Sequence, residues 1–301
     1  MSPLDSEWLC LPAPAKLNLF LQIVGRRADG YHMLQTVFQL LDWGDEVRLR
    51  VRADGDIRRV SNLPGVAPEC DLVVRAANLL RNQVGASPGV DIDVIKRIPM
   101  GGGLGGGSSD AATVLVGLNK LWNLGFDEDR LAGLALQLGA DVPVFVRGRS
   151  AWAEGIGEVL TPLALGARWF LVVDPGVHVP TATLFQAPEL TRDSTVTTIS
   201  GFLSGRSTGN AFQPVLAARS KVVAATLEML SEYGSPQLSG SGACCFVAFE
   251  RENMAHEAFN HWCAGDPRRA RTSVVARGVD LSPLRASVQG WGVAKREGTG
   301  F

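Results

Sequence analysis

The sequence predicts a two-domain fold of the α+β class, and three observations lead to this prediction. The first is a strand-like run, Val90 to Ile98, followed by a glycine-rich segment and a helical stretch, Ala111 to Trp122. The second is a change of pattern after Thr161-Pro162. The third is length, because 301 residues with 46% hydrophobic content can bury one large core or two ordinary ones. We therefore expect domains over residues 1–160 and 161–301.

The glycine-rich segment carries the strongest functional signal. It reads PMGGGLGGGSSD and contains six glycines and two serines. Residues without a Cβ atom let successive backbone N–H groups turn toward one point, and a helix N-terminus behind them adds partial positive charge. The segment therefore predicts a phosphate-binding loop. Its residues are Pro99, Met100, Gly101, Gly102, Gly103, Leu104, Gly105, Gly106, Gly107, Ser108 and Ser109.

Two well-known phosphate-binding patterns fit this loop poorly. No lysine follows the glycines, so G-x-x-x-x-G-K-[ST] is not met, and backbone donors, Ser108 or Ser109 and any metal must hold a phosphate. Gly101, Gly103 and Gly106 form a G-x-G-x-x-G, but no second strand ends in an acidic residue about 20 positions on. A dinucleotide-binding fold and a merely flexible connection are therefore the weaker alternatives.

Composition narrows the remaining classes of protein. A net charge of -1 gives no general attraction to nucleic acid. The N-terminus has neither the basic start nor the apolar core of a signal peptide, and no apolar segment approaches membrane-spanning length. We therefore expect a cytoplasmic protein without nucleic-acid or membrane partners. Five cysteines without C-x-x-C spacing and four dispersed histidines predict neither a disulfide framework nor a transition-metal site.

Two charged residues in apolar surroundings are candidates for catalysis. The alternation from Lys16 to Gly25 predicts a strand with Lys16 and Asn18 on the same face. Asp141 is a lone carboxylate among apolar residues, close to Pro143, which prevents the preceding helix from continuing. From the residues alone, Asp141 is either the N-cap of a short turn or a general base or substrate anchor.

The second half of the chain has its own pattern of strands and helices. Trp169 to Val173 is strand-like, and a helix is expected from Thr181 to Gln186, behind Pro180. Pro214 to Tyr233 predicts one long helix. Ser239 to Gly242 is a second glycine turn, placed before an apolar run.

Five segments together resemble the GHMP kinase superfamily and follow one another in its order. They are Pro14–Asn18 (PAKLN), Gly25–His32 (GRRADGYH), Pro99–Ala112 (PMGGGLGGGSSDAA), Gly139–Phe145 (GADVPVF) and Ser239–Ala243 (SGSGA). The resemblance covers most of the chain. It implies an ATP-binding N-terminal domain like domain 2 of ribosomal protein S5, over residues 1–160. It also implies a substrate-binding, ferredoxin-like α/β sandwich over residues 161–301.

The GRRADGYH segment is the more specific signature. It resembles the branch of the superfamily that phosphorylates the 2-hydroxyl of a cytidine-diphosphate-linked methylerythritol, in the non-mevalonate route to isoprenoids. The resemblance implies ATP as co-substrate, Mg²⁺ as cofactor and a monomeric or homodimeric enzyme. It also implies that Lys16 and Asp141 are the catalytic pair and that Pro99 to Ser109 form the ATP loop.

The same resemblance assigns the substrate-binding residues. Tyr31 and His32 match the residues that hold cytosine, the tyrosine by stacking and the histidine by hydrogen bonds. Phe185 matches the second aromatic residue of this cytosine clamp. Asn18 and Thr181 match polar contacts to the sugar alcohol.

One departure from the branch is visible at Asn210-Ala211-Phe212, where Asn-Asp-Leu is common, so this chain has alanine in place of the usual acid. Two other classes of function stay open. A nicotinamide-dependent oxidoreductase would be protected from thermal unfolding by NAD rather than ATP. A catalytically silent ligand sensor of the GHMP fold would be expected to lack Lys16 or Asp141, and both are present.

Overall fold

The computed structural model describes residues 7–63, 65–85, 88–206 and 209–294. Within these residues the chain forms ten strands and ten α-helices. The strands are β1 (Leu9–Arg26), β2 (His32–Arg52), β3 (Ile57–Arg59), β4 (Gly89–Ile95), β5 (Ala151–Glu154), β6 (Val159–Pro162), β7 (Trp169–Val173), β8 (Gln237–Leu238), β9 (Cys245–Phe249) and β10 (Ser273–Val279). The helices are α1 (Leu72–Val84), α2 (Gly106–Leu121), α3 (Glu128–Leu136), α4 (Val142–Arg147), α5 (Thr181–Phe185), α6 (Ile199–Leu203), α7 (Phe212–Arg219), α8 (Lys221–Leu230), α9 (Glu252–Gly265) and α10 (Pro283–Ala294).

The strands join in one mixed sheet in which most pairs are antiparallel. Its main path runs β3-β4-β2-β10-β7-β9-β8, with β1 and β5 also paired to β2, and β6 paired to β5. The strand before the glycine loop, β4, is antiparallel to β2 and parallel only to the short β3. A doubly wound dinucleotide-binding sheet is parallel, so this topology rules out that alternative. The predicted α+β class is confirmed.

Strand β1 connects the two halves of the molecule. Leu11 packs in a first apolar cluster, Leu17 in a central one and Ile23 in another. The first cluster lies among β2, β4 and helices α1 to α4, and the other lies among β7, β9 and helices α5 and α7 to α9. Lys16 therefore lies where the chain passes from one half to the other.

The pairing of β1 with β2 is irregular in this central stretch. Register shifts occur between Pro14 and Lys16 and between Asn18 and Phe20. Such bulges bend a strand and redirect its side chains. They explain why two polar residues on a strand buried on both sides can turn toward a common site.

The predicted division into two domains at residue 160 stays a prediction. The predicted boundary between residues 160 and 161 falls inside strand β6, which pairs with β5. Leu284 of α10 packs in the first cluster, so the chain returns to the N-terminal half near its end. No helix in the part of the chain that the structure describes could cross a membrane.

Several predicted elements are confirmed, and one is wrong. The strand and helix flanking the glycine loop, the strand at Trp169–Val173 and the helix at Thr181–Phe185 are present. The single long helix predicted from Pro214 to Tyr233 is instead two helices, α7 and α8, separated at Ser220. Ser220 has extended backbone, and its hydroxyl accepts a hydrogen bond from the Val223 N–H. Because an N-cap residue has non-helical backbone, helix α7 cannot continue through Ser220 into α8.

Candidate active site

The glycine-rich loop joins β4 to α2 and turns through left-handed backbone. Gly103 has φ +77° and Gly105 has φ +75°, a conformation that L side chains rarely adopt. Helix α2 begins at Gly106, so the last residues of the loop form its first turn. The leading N–H groups of a helix have no partner within it and favour an anion. The loop can therefore cradle a phosphate as the sequence predicts.

Close packing also requires glycine in this loop. A Cβ atom on Gly103 would collide with the carbonyl oxygen of Ser239, in the second glycine turn. A Cβ atom on Gly105 would lie 2.8 Å from Cζ of Phe145 and 3.2 Å from Cε of Lys16. The loop is therefore held between elements of both halves, independently of any nucleotide.

Lys16 contacts both the loop and the candidate base. Its side chain is only 3% exposed. Its Nζ donates to Oδ1 of Asn18 at 2.5 Å and to the carbonyl oxygen of Gly103 at 2.9 Å. The same atom lies 3.4 Å from Oδ2 of Asp141. A buried ammonium group requires such partners, and these fix its position.

Asp141 directly precedes helix α4, at the position of an N-cap. Its backbone is helical, and its side chain makes no capping hydrogen bond. The helix-cap alternative therefore has no support in the structure. The side chain is 37% exposed and lines a cavity, while its neighbours in α4 are buried. This carboxylate is open to a ligand and paired with Lys16.

Asn18 is buried beside Lys16 and links it to the strand behind. Its Oδ1 accepts from Lys16, and its Nδ2 donates to Oγ1 of Thr36 at 2.8 Å. The Thr36 hydroxyl donates to the carbonyl oxygen of Phe20 at 2.5 Å. Asn18 also lines the cavity, so its expected contact to the sugar alcohol stays a prediction. Sequence reasoning missed Thr36, because no sequence pattern around this threonine indicates that it contacts Asn18.

The second glycine turn supplies two hydroxyl groups to which the sequence analysis gave no role. Ser239 Oγ donates to the carbonyl oxygen of Gly103 at 2.9 Å and accepts from the Asn18 N–H at 3.2 Å. The hydroxyl groups of Ser241 and Thr181 lie 2.7 Å apart. The two serines of the SGSG stretch were the signal that could have identified them.

Asn210 holds this turn in place. Its Nδ2 donates to the carbonyl oxygens of Leu238 and Gly240, each at 2.7 Å. Its Oδ1 accepts from the Phe212 N–H at 2.9 Å. Ala211, where the related branch commonly has aspartate, packs against the apolar cluster that contains Ile23. The asparagine keeps its structural contacts without that acid.

The residues expected to bind cytosine line a cavity of about 950 Å³, together with Thr181. Tyr31 is 60% exposed, whereas His32 is half-buried. The rings of His32 and Phe185 stack at 4.8 Å, and Phe185 meets Phe212 edge-on at 4.9 Å. The structure thus brings the predicted residues together, with Phe185 against His32 rather than against Tyr31.

The surroundings of His32 favour its neutral form. Burial lowers the pKa of this imidazole below its usual 6.5, and the positive charges of Arg192 and Arg26 lower it further. Its Nε2 is buried and has no hydrogen-bond partner among the described residues. A neutral imidazole offers one donor and one acceptor, which suits recognition of a polar base edge.

A second cavity of about 480 Å³ lies along the glycine loop and meets the first. It is lined by the loop, Lys16 and Asn18, and by the apolar residues Leu63, Val66 and Leu72. Five residues line both cavities. They are Leu34, Asp141, Ile156, Thr181 and Phe185. Asp141 therefore lies where the space beside the phosphate loop joins the space beside the aromatic residues.

A buried cluster of charged side chains connects strand β2 to the residues on both sides of the glycine loop. Lys96 Nζ donates to Asp110 Oδ2 at 2.8 Å and also contacts Asp45. Burial raises the pKa of the Asp110 carboxyl to about 7, with the nearby Asp45 adding to the rise and Lys96 opposing it. The Asp45 carboxylate accepts hydrogen bonds from the N–H groups of Arg97 and Ile98, which lie just before the loop. The cluster thus ties the loop to β2.

The described residues contain no group of three or more histidine, cysteine, aspartate or glutamate side chains that could hold a metal ion. Mg²⁺ in phosphoryl-transfer sites takes most ligands from water and substrate phosphates and needs only one or two protein oxygens. The Asp141 carboxylate and the Ser108 hydroxyl line the same cavity. These donors fit an ion that enters with a nucleotide.

Comparison with known proteins agrees with this arrangement. A family model described as the GHMP kinases N terminal domain matches residues 71–149, and one described as GHMP kinases C terminal matches residues 200–267. A 4-diphosphocytidyl-2-C-methyl-D-erythritol kinase from Xanthomonas axonopodis pv. citri is 59% identical over 93% of this chain and 94% of its own length. The chain belongs to this family of GHMP kinases. Its enzymatic class, a kinase, follows from that membership.

More distant relatives support the same assignment. The Halorhodospira halophila kinase of the same name is 54% identical over 94% of this chain and 97% of its own length. A crystal structure of 4-(cytidine 5'-diphospho)-2C-methyl-D-erythritol kinase superposes with a TM-score of 0.77 at 33% identity, covering 90% of this chain and 99% of its own. A homoserine kinase from Cytophaga hutchinsonii, with a TM-score of 0.65 at 17% identity over 94% and 97% of the chains, shares the fold. The two-domain GHMP kinase fold implied by the sequence is confirmed.

Proposed function

We propose that this kinase transfers the γ-phosphate of ATP to the 2-hydroxyl of 4-diphosphocytidyl-2-C-methyl-D-erythritol, giving the 2-phosphate and ADP. One observation carries the proposal. Asp141, 3.4 Å from Lys16, lies at the junction of the loop-lined cavity and the cavity lined by Tyr31, His32 and Phe185. A phosphate donor and a cytidine-linked acceptor can therefore meet at one carboxylate.

The chemistry follows from the positions of two side chains. Asp141 accepts the proton of the 2-hydroxyl as that oxygen attacks the γ-phosphorus, and the bond to the β-γ bridging oxygen breaks to release ADP. Lys16 places a fixed positive charge beside the loop, where negative charge develops on the transferring group. Its contact with Gly103 keeps that charge in place before either substrate binds.

ATP binding rests on the glycine loop and its neighbours. Residues Pro99 to Ser109 supply backbone donors and the N-terminus of α2 for the phosphates. The apolar side chains of Leu63, Val66 and Leu72 line the same cavity and suit a purine base. Mg²⁺ held by the phosphates, Asp141 and Ser108 would neutralise charge on the transferring group.

Recognition of the second substrate rests on the other cavity. Tyr31 and Phe185 provide aromatic surfaces for cytosine, and His32 provides hydrogen bonds to its edge. Thr181 and Asn18 provide polar groups for the sugar alcohol. A cytoplasmic location and a monomeric or homodimeric state remain predictions.

The test is ADP release in a coupled assay with this substrate, compared with mevalonate and homoserine. Turnover with the cytidine-linked substrate alone is expected, with phosphate found on the 2-hydroxyl. ATP, rather than NAD, should protect the protein from thermal unfolding. Turnover with mevalonate or homoserine, and none with the cytidine-linked substrate, would contradict the proposal.

A further inference from the structure

Arg192 lines the same cavity as the residues proposed to bind cytosine. One amino group of its guanidinium donates to the carbonyl oxygens of Phe185 and Ala187, at 2.9 and 2.7 Å. The other donates to the carbonyl oxygen of Leu190 at 2.9 Å. The last carbonyl groups of a helix have no partner within it. Arg192 therefore connects three carbonyl groups along the segment from Phe185 to Leu190.

Besides Arg192, apolar packing and the edge-on contact with Phe212 hold Phe185 in place. Helix α5 is only five residues long, and the buried anchors around it are Leu184, Ala187 and Leu190. Phe185 itself is only partly buried, with its ring stacked on His32. Because Arg192 bonds to the Phe185 carbonyl, it fixes the backbone from which that ring projects.

Arg192 also acts on His32 through its charge. Four charged residues line the cavity beside this imidazole: Arg26, Asp29, Asp141 and Arg192. Asp29 forms an exposed pair with Arg27, and Asp141 is paired with Lys16. After burial, the charges that act on the His32 pKa are those of Arg192 and then Arg26, and both lower it.

We propose that Arg192 is a positioning residue for base recognition, which fixes the backbone of Phe185 and places a positive charge in the cavity beside His32. The proposal rests on the proposed function, in which His32 reads cytosine. A neutral imidazole can accept a hydrogen bond from the exocyclic amino group of cytosine. A protonated imidazole only donates, so it suits the oxygen that uracil carries at that position. Arg192 thereby contributes to discrimination between the two bases.

The test uses CDP and UDP as probes and measures binding by calorimetry at pH 6 and pH 8. Arg192→Gln removes both the carbonyl contacts and the charge. We expect its affinity for CDP to fall roughly tenfold at pH 8, the size of one lost favourable contact. At pH 6 its affinity for CDP should fall further, by roughly threefold to fourfold if the His32 pKa returns to its usual value. The ratio of the affinity for CDP to the affinity for UDP should also be smaller in Arg192→Gln at pH 6.

Two further variants separate the roles of Arg192 from a general loss of structure. Arg192→Lys keeps the charge but cannot span three carbonyl groups, so it should weaken CDP binding without adding pH dependence. Arg219→Gln is the matched control, because Arg219 is a nearby arginine paired with Glu189 on the surface. Its CDP binding should equal that of the unchanged protein.

The titration of His32 by NMR gives the direct readout, with the signal assigned from His32→Asn. The His32 pKa should rise in Arg192→Gln and stay low in Arg192→Lys. An unchanged His32 titration together with unchanged CDP affinity in Arg192→Gln would overturn the proposal. If the unchanged protein itself bound neither CDP nor UDP, the proposed function would fail instead.

Discussion

The two ends of the site differ in how they are built. Around Lys16, buried polar groups from both halves of the molecule already hold one another, through Asn18, Gly103 and Ser239. Around Tyr31, which is 60% exposed, the residues proposed for base recognition include this exposed aromatic ring and Phe185 on a short helix. The end of the site around Lys16, called the transfer end below, is therefore organised before substrates bind. The end around Tyr31, called the recognition end, has only a few contacts, and they are more exposed. Substitutions should affect turnover at the first end and affinity at the second.

The largest effect is expected at Asp141. Asp141→Asn keeps the shape of the side chain but cannot accept the hydroxyl proton, so turnover should fall on the order of 10²-fold or more. Thermal stability, and the affinity for ATP measured without Mg²⁺, should stay close to those of the unchanged protein. The measurement is kcat with both substrates saturating. Near-normal turnover would mean that another group is the base.

The next effect tests whether the loop is organised by packing. Gly103→Ala places a Cβ atom against the Ser239 carbonyl and strains a left-handed residue, which should cost about 1–3 kcal/mol of stability. Gly107→Ala is the matched control, because there a Cβ atom would meet only Leu72, at an ordinary 3.5 Å. Thermal denaturation without nucleotide measures both. Equal stability of the two variants would show that the loop is not packed as described.

The recognition end should respond in affinity rather than in kcat. Tyr31→Ala and His32→Ala remove a stacking surface and an edge contact, so each should raise KM for the cytidine-linked substrate roughly tenfold or more. Competition by cytidine and uridine nucleotides measures the preference between bases. If both variants kept affinity and preference, the base would bind elsewhere.

A smaller effect is expected from Asp110 beneath the loop. Its folded pKa of about 7 lies above the ordinary carboxyl value of 3.8, so the folded chain binds the extra proton between these values. Stability of the unchanged protein should therefore fall, relative to Asp110→Asn, as pH rises from 6 to 8. Melting temperatures at both pH values measure this, with the exposed Asp129→Asn as control. A stability difference independent of pH would place the Asp110 pKa outside this range.

The local structure around the glycine loop and Lys16 could be predicted from the sequence, because its signals are local. Glycines followed by a helical stretch define the loop, and the alternation around Lys16 places Asn18 on the same face. The approach of Lys16 to Asp141 could not be derived from spacing, because the two residues are far apart in the chain. Resemblance to a known superfamily suggested that pair, and the structure places the two side chains 3.4 Å apart.

Contacts in which one side chain binds several backbone groups distant from it in the chain were harder to predict from the sequence. Arg192 bonds to three carbonyl oxygens, and no sequence pattern indicates this role. Asn210 lies in a segment that resembles the family, but its sequence does not show which two carbonyl groups it contacts. The helix boundary at Ser220 was missed for a related reason. Apolar periodicity continues through it, and only the capping hydrogen bond of the serine reveals the break.

The central claim is that Lys16 and Asp141 act as one unit at the junction of the two cavities. A double-mutant cycle on kcat tests it, with Lys16→Met, Asp141→Asn and the variant that combines both. Residues that act together lose less in combination than the product of their separate losses. We therefore predict that the combined variant is scarcely slower than Asp141→Asn alone. A combined loss equal to the product of the two single losses would show that they act independently and would contradict the account.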